Sequence, residues 1–155
     1  MIHWIPLINA ANLWVQGAFA AAVTIYALAR GGAAARGAAI IAAAGWIVAG
    51  ISNFLIQPIG LRVIVTCTQD ALVAAGFLYL AIRHNSGWLI LGVIVQGLQL
   101  GLDFLLISEW AHMGWRSRFA SGVVLNGLSF GLLFCVLGVA MAERRRLALA
   151  GPVRV

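Results

Sequence analysis

Two aspartates, Asp70 and Asp103, lie within long apolar stretches of this sequence, where ionisable groups are least expected. A carboxylate near the centre of a bilayer costs ~2.5 kcal/mol or more to insert, so it is protonated, paired or hydrated. Acids in such positions serve proton or ion transfer, or they hydrogen-bond neighbouring helices as structural contacts. Both interpretations stay open here, because no second motif for transfer accompanies the two acids.

Amide and hydroxyl side chains accompany the acids at helical spacing. Gln96, Gln99 and Asp103 follow an i, i+3, i+7 pattern, which places all three on one helix face. Polar groups that face lipid would lose their hydrogen bonds, so these side chains are predicted to converge inside a bundle. The candidate polar cavity comprises Asn12, Gln16, Asn53, Gln57, Arg62, Thr66, Gln69, Asp70, Gln96, Gln99, Asp103 and Asn126.

Motifs for metal, cofactor or covalent chemistry are not recognisable. His3, His84 and His112 all lie outside the predicted spans, whereas a buried haem usually takes its axial histidine from a helix. Glu109 and His112 are three residues apart, but two ligands are too few for a specific zinc site. The sequence therefore predicts no metal site, no catalytic residue and no enzymatic activity, and it leaves any cofactor unassigned.

The elements that must position the polar residues are transmembrane helices. Of the 155 residues 63% are hydrophobic and only 9% are charged, too few charges to cover a water-soluble surface. A spanning helix needs about 20 apolar residues. The sequence predicts an all-α membrane protein, a compact single bundle of five transmembrane helices, with spans at about 7–29, 37–57, 61–82, 88–108 and 119–142.

The distribution of arginine predicts the orientation of the bundle. With the carboxyl terminus inside, the cytoplasmic side holds seven arginines, namely Arg30, Arg36, Arg83, Arg144, Arg145, Arg146 and Arg154. The opposite side holds three, Arg62, Arg116 and Arg118. Excess arginine marks the cytoplasm, so we expect an outer amino terminus and a cytoplasmic carboxyl terminus in a bacterial inner membrane. If spans two and three formed a re-entrant pair, only three helices would cross.

That orientation puts the polar side chains of every span in its outer half. Asp70 would lie roughly 13 Å deep at 1.5 Å per residue, close to the bilayer midplane. The net charge of +6 is then explained by topology, and no nucleic-acid partner is predicted.

Small residues indicate where helices approach one another. Gly97 and Gly101, like Gly127 and Gly131, are spaced four residues apart, and they are predicted to let the fourth and fifth helices pack closely.

The segment from Asp70 to Trp88 has the pattern D-x2-V-x3-F-x-Y-x-A-x-R-x-N-x2-W. It resembles small, uncharacterised bacterial polytopic inner-membrane proteins. The resemblance covers about an eighth of the chain and implies a multi-pass membrane location, without an activity.

Two functions are compatible with these features. The first is a non-catalytic accessory or scaffold subunit of a larger inner-membrane complex, whose partners are lipid and other membrane subunits or a second copy of the chain. The alternative is a small-ligand binding or transport protein that uses an outward-facing polar cavity. An intramembrane enzyme is the third, least favoured hypothesis.

Overall fold

The computed structural model describes the backbone of residues 5–56, 59–109 and 115–149, and the side chains of 14–52, 54–56, 61, 64–106, 120 and 122–149. These residues form helices and short turns. The helices are α1 (Ile5–Arg30), α2 (Ala33–Leu55), α3 (Ile59–His84), α4 (Gly87–Glu109) and α5 (Trp115–Leu149). The all-helical class predicted from the sequence is thus confirmed.

Within the part of the chain that the structure describes, four segments are long and apolar enough to cross a membrane: Ala33–Ser52, Ile64–His84, Gly87–Leu106 and Gly122–Leu149. Apolar side chains also cover the outside of the bundle, as shown by Trp14 and Phe54, each 81% exposed. Such a surface is suited to lipid. A membrane bundle is therefore supported, while the count of five spans and the orientation of the termini stay predictions.

Short turns set the antiparallel order of neighbouring helices. Gly31 and Gly32 join α1 to α2, and a Cβ atom on Gly31 would lie 2.5 Å from the Ala27 carbonyl oxygen, which explains the glycine. Asn85 lies between α3 and α4 with φ of 45°, a conformation that asparagine adopts more readily than most residues. We call the end of the bundle that holds these turns the turn end.

The apolar core lies toward the turn end. Alanines of α2 pack there against larger side chains of α3, α4 and α5, including the fully buried Phe77 and Leu89 and the nearly buried Val136. Small residues on α2 let the larger side chains of its neighbours fill the space between the helices. Buried polar residues lie farther from the turn end, so one half of the bundle is dry and the other polar.

Glu143 closes the turn end by capping α2. Its Oε1 and Oε2 atoms accept hydrogen bonds from the backbone N–H groups of Ala34 and Ala35, at 3.3 and 3.0 Å. The N-cap residue Gly32 has no side chain for this purpose, so a residue more than a hundred positions away satisfies the first turn. A carboxylate is also favoured at a helix N-terminus by the helix dipole.

The close approaches of α4 lie elsewhere than the glycine spacing predicted. A Cβ atom on Gly97, Gly101 or Gly127 would meet no described atom within 4 Å, and only Gly131 contacts α4, through Val95 at 3.6 Å. Gly92 makes the close contact instead, since a Cβ atom there would lie 2.7 Å from the Phe77 ring. Glycines spaced four residues apart occur on interior and on exterior helix faces, so the spacing alone does not show which face is buried.

Candidate functional site

The polar residues of α3 and α4 lie on the same helix faces that form the dry core nearer the turn end. On α3, Asp70 is followed at i+3 and i+7 by Val73 and Phe77, and all three are buried. On α4, Gln96 lies seven residues after Leu89, and both are at most 2% exposed. The helices therefore bury a polar residue wherever their interior stripe continues past the apolar core.

Asp70 and Asp103 form an acid pair between α3 and α4. Their carboxyl groups lie close enough to interact, and the side chain of Gln96 lies within reach of Asp70. Asp70 is 3% exposed, whereas Asp103 is half-buried. Two neighbouring carboxyl groups can share a hydrogen bond when one of them carries a proton.

A small cavity of about 80 Å³ adjoins the acid pair. Its walls come from α2, α3, α4 and α5, and its polar lining consists of Gln69, Asp70, Gln96, Gln99 and Ser129. Three acceptor atoms in this lining, Oε1 of Gln69, Oδ2 of Asp70 and Oε1 of Gln99, are buried without a hydrogen-bond partner among the described residues. Buried polar atoms are nearly always hydrogen-bonded, so three unpartnered oxygens in one cavity indicate that a bound molecule or ion satisfies them.

A separate polar contact joins α1 to α5. The buried Gln16 donates from Nε2 to Oδ1 of Asn126 at 3.1 Å and to the Asn126 carbonyl oxygen at 3.5 Å. Neither residue lines the cavity beside Asp70. This pair holds two helices together and satisfies its own polar groups, which makes it a structural contact.

The structure thus divides the predicted polar cavity into smaller parts. It brings together Gln69, Asp70, Gln96, Gln99 and Asp103, and it pairs Gln16 with Asn126 at another place. Thr66 lies half-buried on α3 and is engaged in an interaction of its own. Gln57 and the side chains of Asn12, Asn53 and Arg62 lie outside the described residues.

Several lining residues were not among the predicted cavity residues. Trp46, Gly45, Ala42 and Ala49 form the α2 wall, and Ser129 adds a hydroxyl from α5. The available signal was the row of small residues on α2, which leaves space opposite the long amides of α3 and α4. Small residues also occur where helices pack closely, so their pattern alone does not predict the cavity beside them.

A larger cleft of about 500 Å³ lies at the turn end. It is lined in part by His84, Trp88, Glu143 and Arg146, residues from the ends of α3, α4 and α5. Glu143 is already bound to the first turn of α2, so its carboxylate is engaged. The cleft is open and mixed in charge, and the unpartnered buried acceptors are found in the smaller cavity.

The fold and the site define a helical bundle of membrane-protein type with a buried acid pair beside a small polar cavity. Comparisons of this chain with protein-family models, with curated proteins and with solved structures find no match. The proposed function therefore rests on the residues of the site.

Proposed function

We propose that this chain is a membrane protein that binds or transports a small proton-linked ligand at the cavity beside Asp70. The observation that supports it is the acid pair, in which a carboxyl group only 3% exposed lies beside a second one. Burying an ionisable group inside a transmembrane bundle costs free energy, and such groups commonly belong to proton relays or ion pathways.

The size of the cavity limits the ligand. A cavity of about 80 Å³ is large enough for a few water molecules or one small ion. The ligand class is therefore a proton, carried by water or by the pair itself, or a cation of similar size.

The pair supplies a chemical basis for proton exchange. Asp70 and Asp103 together can hold zero, one or two protons, and loss or gain of one proton changes the charge of the site by one unit. A change of charge in a low-dielectric interior changes which ligands the cavity accepts.

The proposed topology has five spans in a bacterial inner membrane, with the amino terminus outside and the carboxyl terminus in the cytoplasm. It rests on the arginine distribution and places the cavity in the outer half of the membrane. Ala148→Cys, made in a variant without Cys67 and Cys135, should react only after the membrane is permeabilised. Labelling of intact cells by a membrane-impermeant reagent would contradict this orientation.

Proton flux tests the function. The purified protein in liposomes with an internal pH-sensitive dye should acidify the lumen when a potential, inside negative, is imposed. Asp70→Asn should reduce this flux to the level of empty liposomes, because an amide cannot exchange a proton at neutral pH. Gln16→Met is the matched control, since it removes a buried amide of the other polar contact and should retain the flux. Equal flux in wild type and Asp70→Asn would refute the proposal.

A second proposal is a role as accessory subunit of a larger membrane complex. It is favoured by the exposed glycines Gly97 and Gly101 of α4 and Gly127 of α5, which leave open space on the surface of the bundle. Small residues of this kind allow a transmembrane helix of another subunit to approach closely. Mass spectrometry of chains that co-purify under native conditions tests it, and recovery of this chain alone from gently solubilised membranes would argue against it.

A further inference from the structure

The three unpartnered oxygens beside Asp70 are all hydrogen-bond acceptors. Asp70 contributes a carboxylate oxygen, while Gln69 and Gln99 contribute amide oxygens from α3 and α4. An occupant that satisfies all three must be a donor of several hydrogen bonds or a positive ion. A neutral solute with its own acceptors would leave these oxygens unmet.

We propose that this cavity binds one largely dehydrated monovalent cation of about the size of sodium, coordinated by Oδ2 of Asp70 and by Oε1 of Gln69 and Gln99. The inference rests on the proposed function in that both use the same cavity. It adds the identity of the ligand.

The charge of the site favours a monovalent ion. Among the residues described as lining the cavity, Asp70 is the one acid, and a single positive charge neutralises its carboxylate. A divalent ion would leave an unbalanced positive charge in a low-dielectric interior unless both acids ionised. Carboxylate and amide oxygens are hard ligands, and carbonyl oxygens can replace the hydration shell of an alkali cation.

The remaining walls of the cavity are compatible with such an ion. Ser129 donates its hydroxyl hydrogen to the Leu125 carbonyl at 3.1 Å, so its oxygen retains lone pairs for a further contact. Gly45 and Ala49 of α2 bring no polar group to the lining, and their size leaves the space. Among the residues described as lining this cavity, none offers the sulfur or imidazole ligands that select transition metals.

Thermal unfolding and direct binding test the inference on the purified full-length protein in detergent. The melting temperature should rise with sodium chloride and not with choline chloride at equal ionic strength, because a ligand that binds only the folded state stabilises it. Radioactive sodium should bind at about one ion per chain.

Variants distinguish coordination from general stability. Gln99→Leu should weaken sodium binding about tenfold or more, corresponding to ~1.4 kcal/mol. Asp70→Asn should abolish both sodium binding and flux. Gln16→Met should bind sodium like the wild type, since its amide contacts Asn126 instead of the cavity.

Two outcomes would overturn the inference. If wild-type protein melted equally in sodium and choline and bound no radioactive sodium, water would occupy the cavity, and proton flux in the same preparation would leave the proposed function standing. If sodium bound equally to wild type and Gln99→Leu, the ion would lie elsewhere. Sodium binding without proton flux would support this site and refute the transport proposal.

Discussion

Replacing Asp70 with leucine should lower the free energy of unfolding by ~1–3 kcal/mol, because it leaves buried polar partners unsatisfied. Gln96 is 2% exposed and would lose the polar side chain that lies within its reach. Asp103 would lose the neighbouring carboxyl group. Leucine is larger than aspartate and offers neither partner a hydrogen bond, so the penalty falls mainly on the buried amide of Gln96.

Asp70→Asn is the informative comparison. Its amide oxygen can accept from Gln96 and its amide nitrogen can donate to Asp103, so the fold should be retained at or near wild-type stability. Unfolding in mixed micelles, followed by circular dichroism, measures both variants. Asp103→Leu serves as a matched control on the same pair and should destabilise less, because Asp103 is only half-buried.

The two variants separate packing from function. If Asp70→Asn folds normally but gives no proton flux, the acid is needed for proton exchange. If Asp70→Leu unfolds at the same denaturant concentration as wild type, the polar contacts of Asp70 with α4 contribute nothing measurable to stability. That result would contradict the structural account of the pair.

The general position of the site followed from the sequence. Hydrophobic length predicted helices, and the energetic penalty of polar groups in lipid predicted that Gln96, Gln99 and Asp103 would face inward with Asp70. Both arguments depend only on residue type and spacing along one helix. The same reasoning predicted the contrast between an apolar half and a polar half, which the distribution of buried residues shows.

The pairing of helices could not be obtained in that way. Asn126 was grouped with Asp70 by depth alone, yet it contacts Gln16 on α1. Depth in the membrane places residues in one layer but does not say which neighbours share an interface. Glu143 illustrates the same limit, since its position at the start of a basic tail gave no indication that it caps α2.

Glycine spacing is the clearest case in which the local pattern was insufficient. Gly92 and Gly97 are five residues apart on α4, yet only the first lies against a neighbouring helix. Five residues correspond to about 500° of rotation, so the two positions lie on different sides of the helix. Which side is interior depends on the tertiary contacts of α4, and these are set by side chains elsewhere in the chain.

These two glycines give a matched pair of substitutions with opposite expected results. Gly92→Ala should lower the free energy of unfolding by ~1–3 kcal/mol, because overpacking a close contact forces neighbouring groups apart. Its new Cβ atom would lie 2.7 Å from one carbon of the Phe77 ring and 3.0 Å from another. Phe77 is fully buried in the dry core and cannot rotate into solvent or lipid to relieve the clash.

Gly97→Ala should be neutral or stabilising by up to ~1 kcal/mol, because its Cβ atom meets no described atom within 4 Å and alanine favours helix over glycine. Unfolding of both variants in the same detergent measures the difference between their free energies of unfolding. The two variants are closely matched, since both replace a glycine of α4 with alanine. Equal stability of the two variants would mean that α4 does not present Gly92 to Phe77. A loss of stability confined to Gly97→Ala would place a second chain or subunit against that face, which is the contact that the accessory-subunit proposal requires.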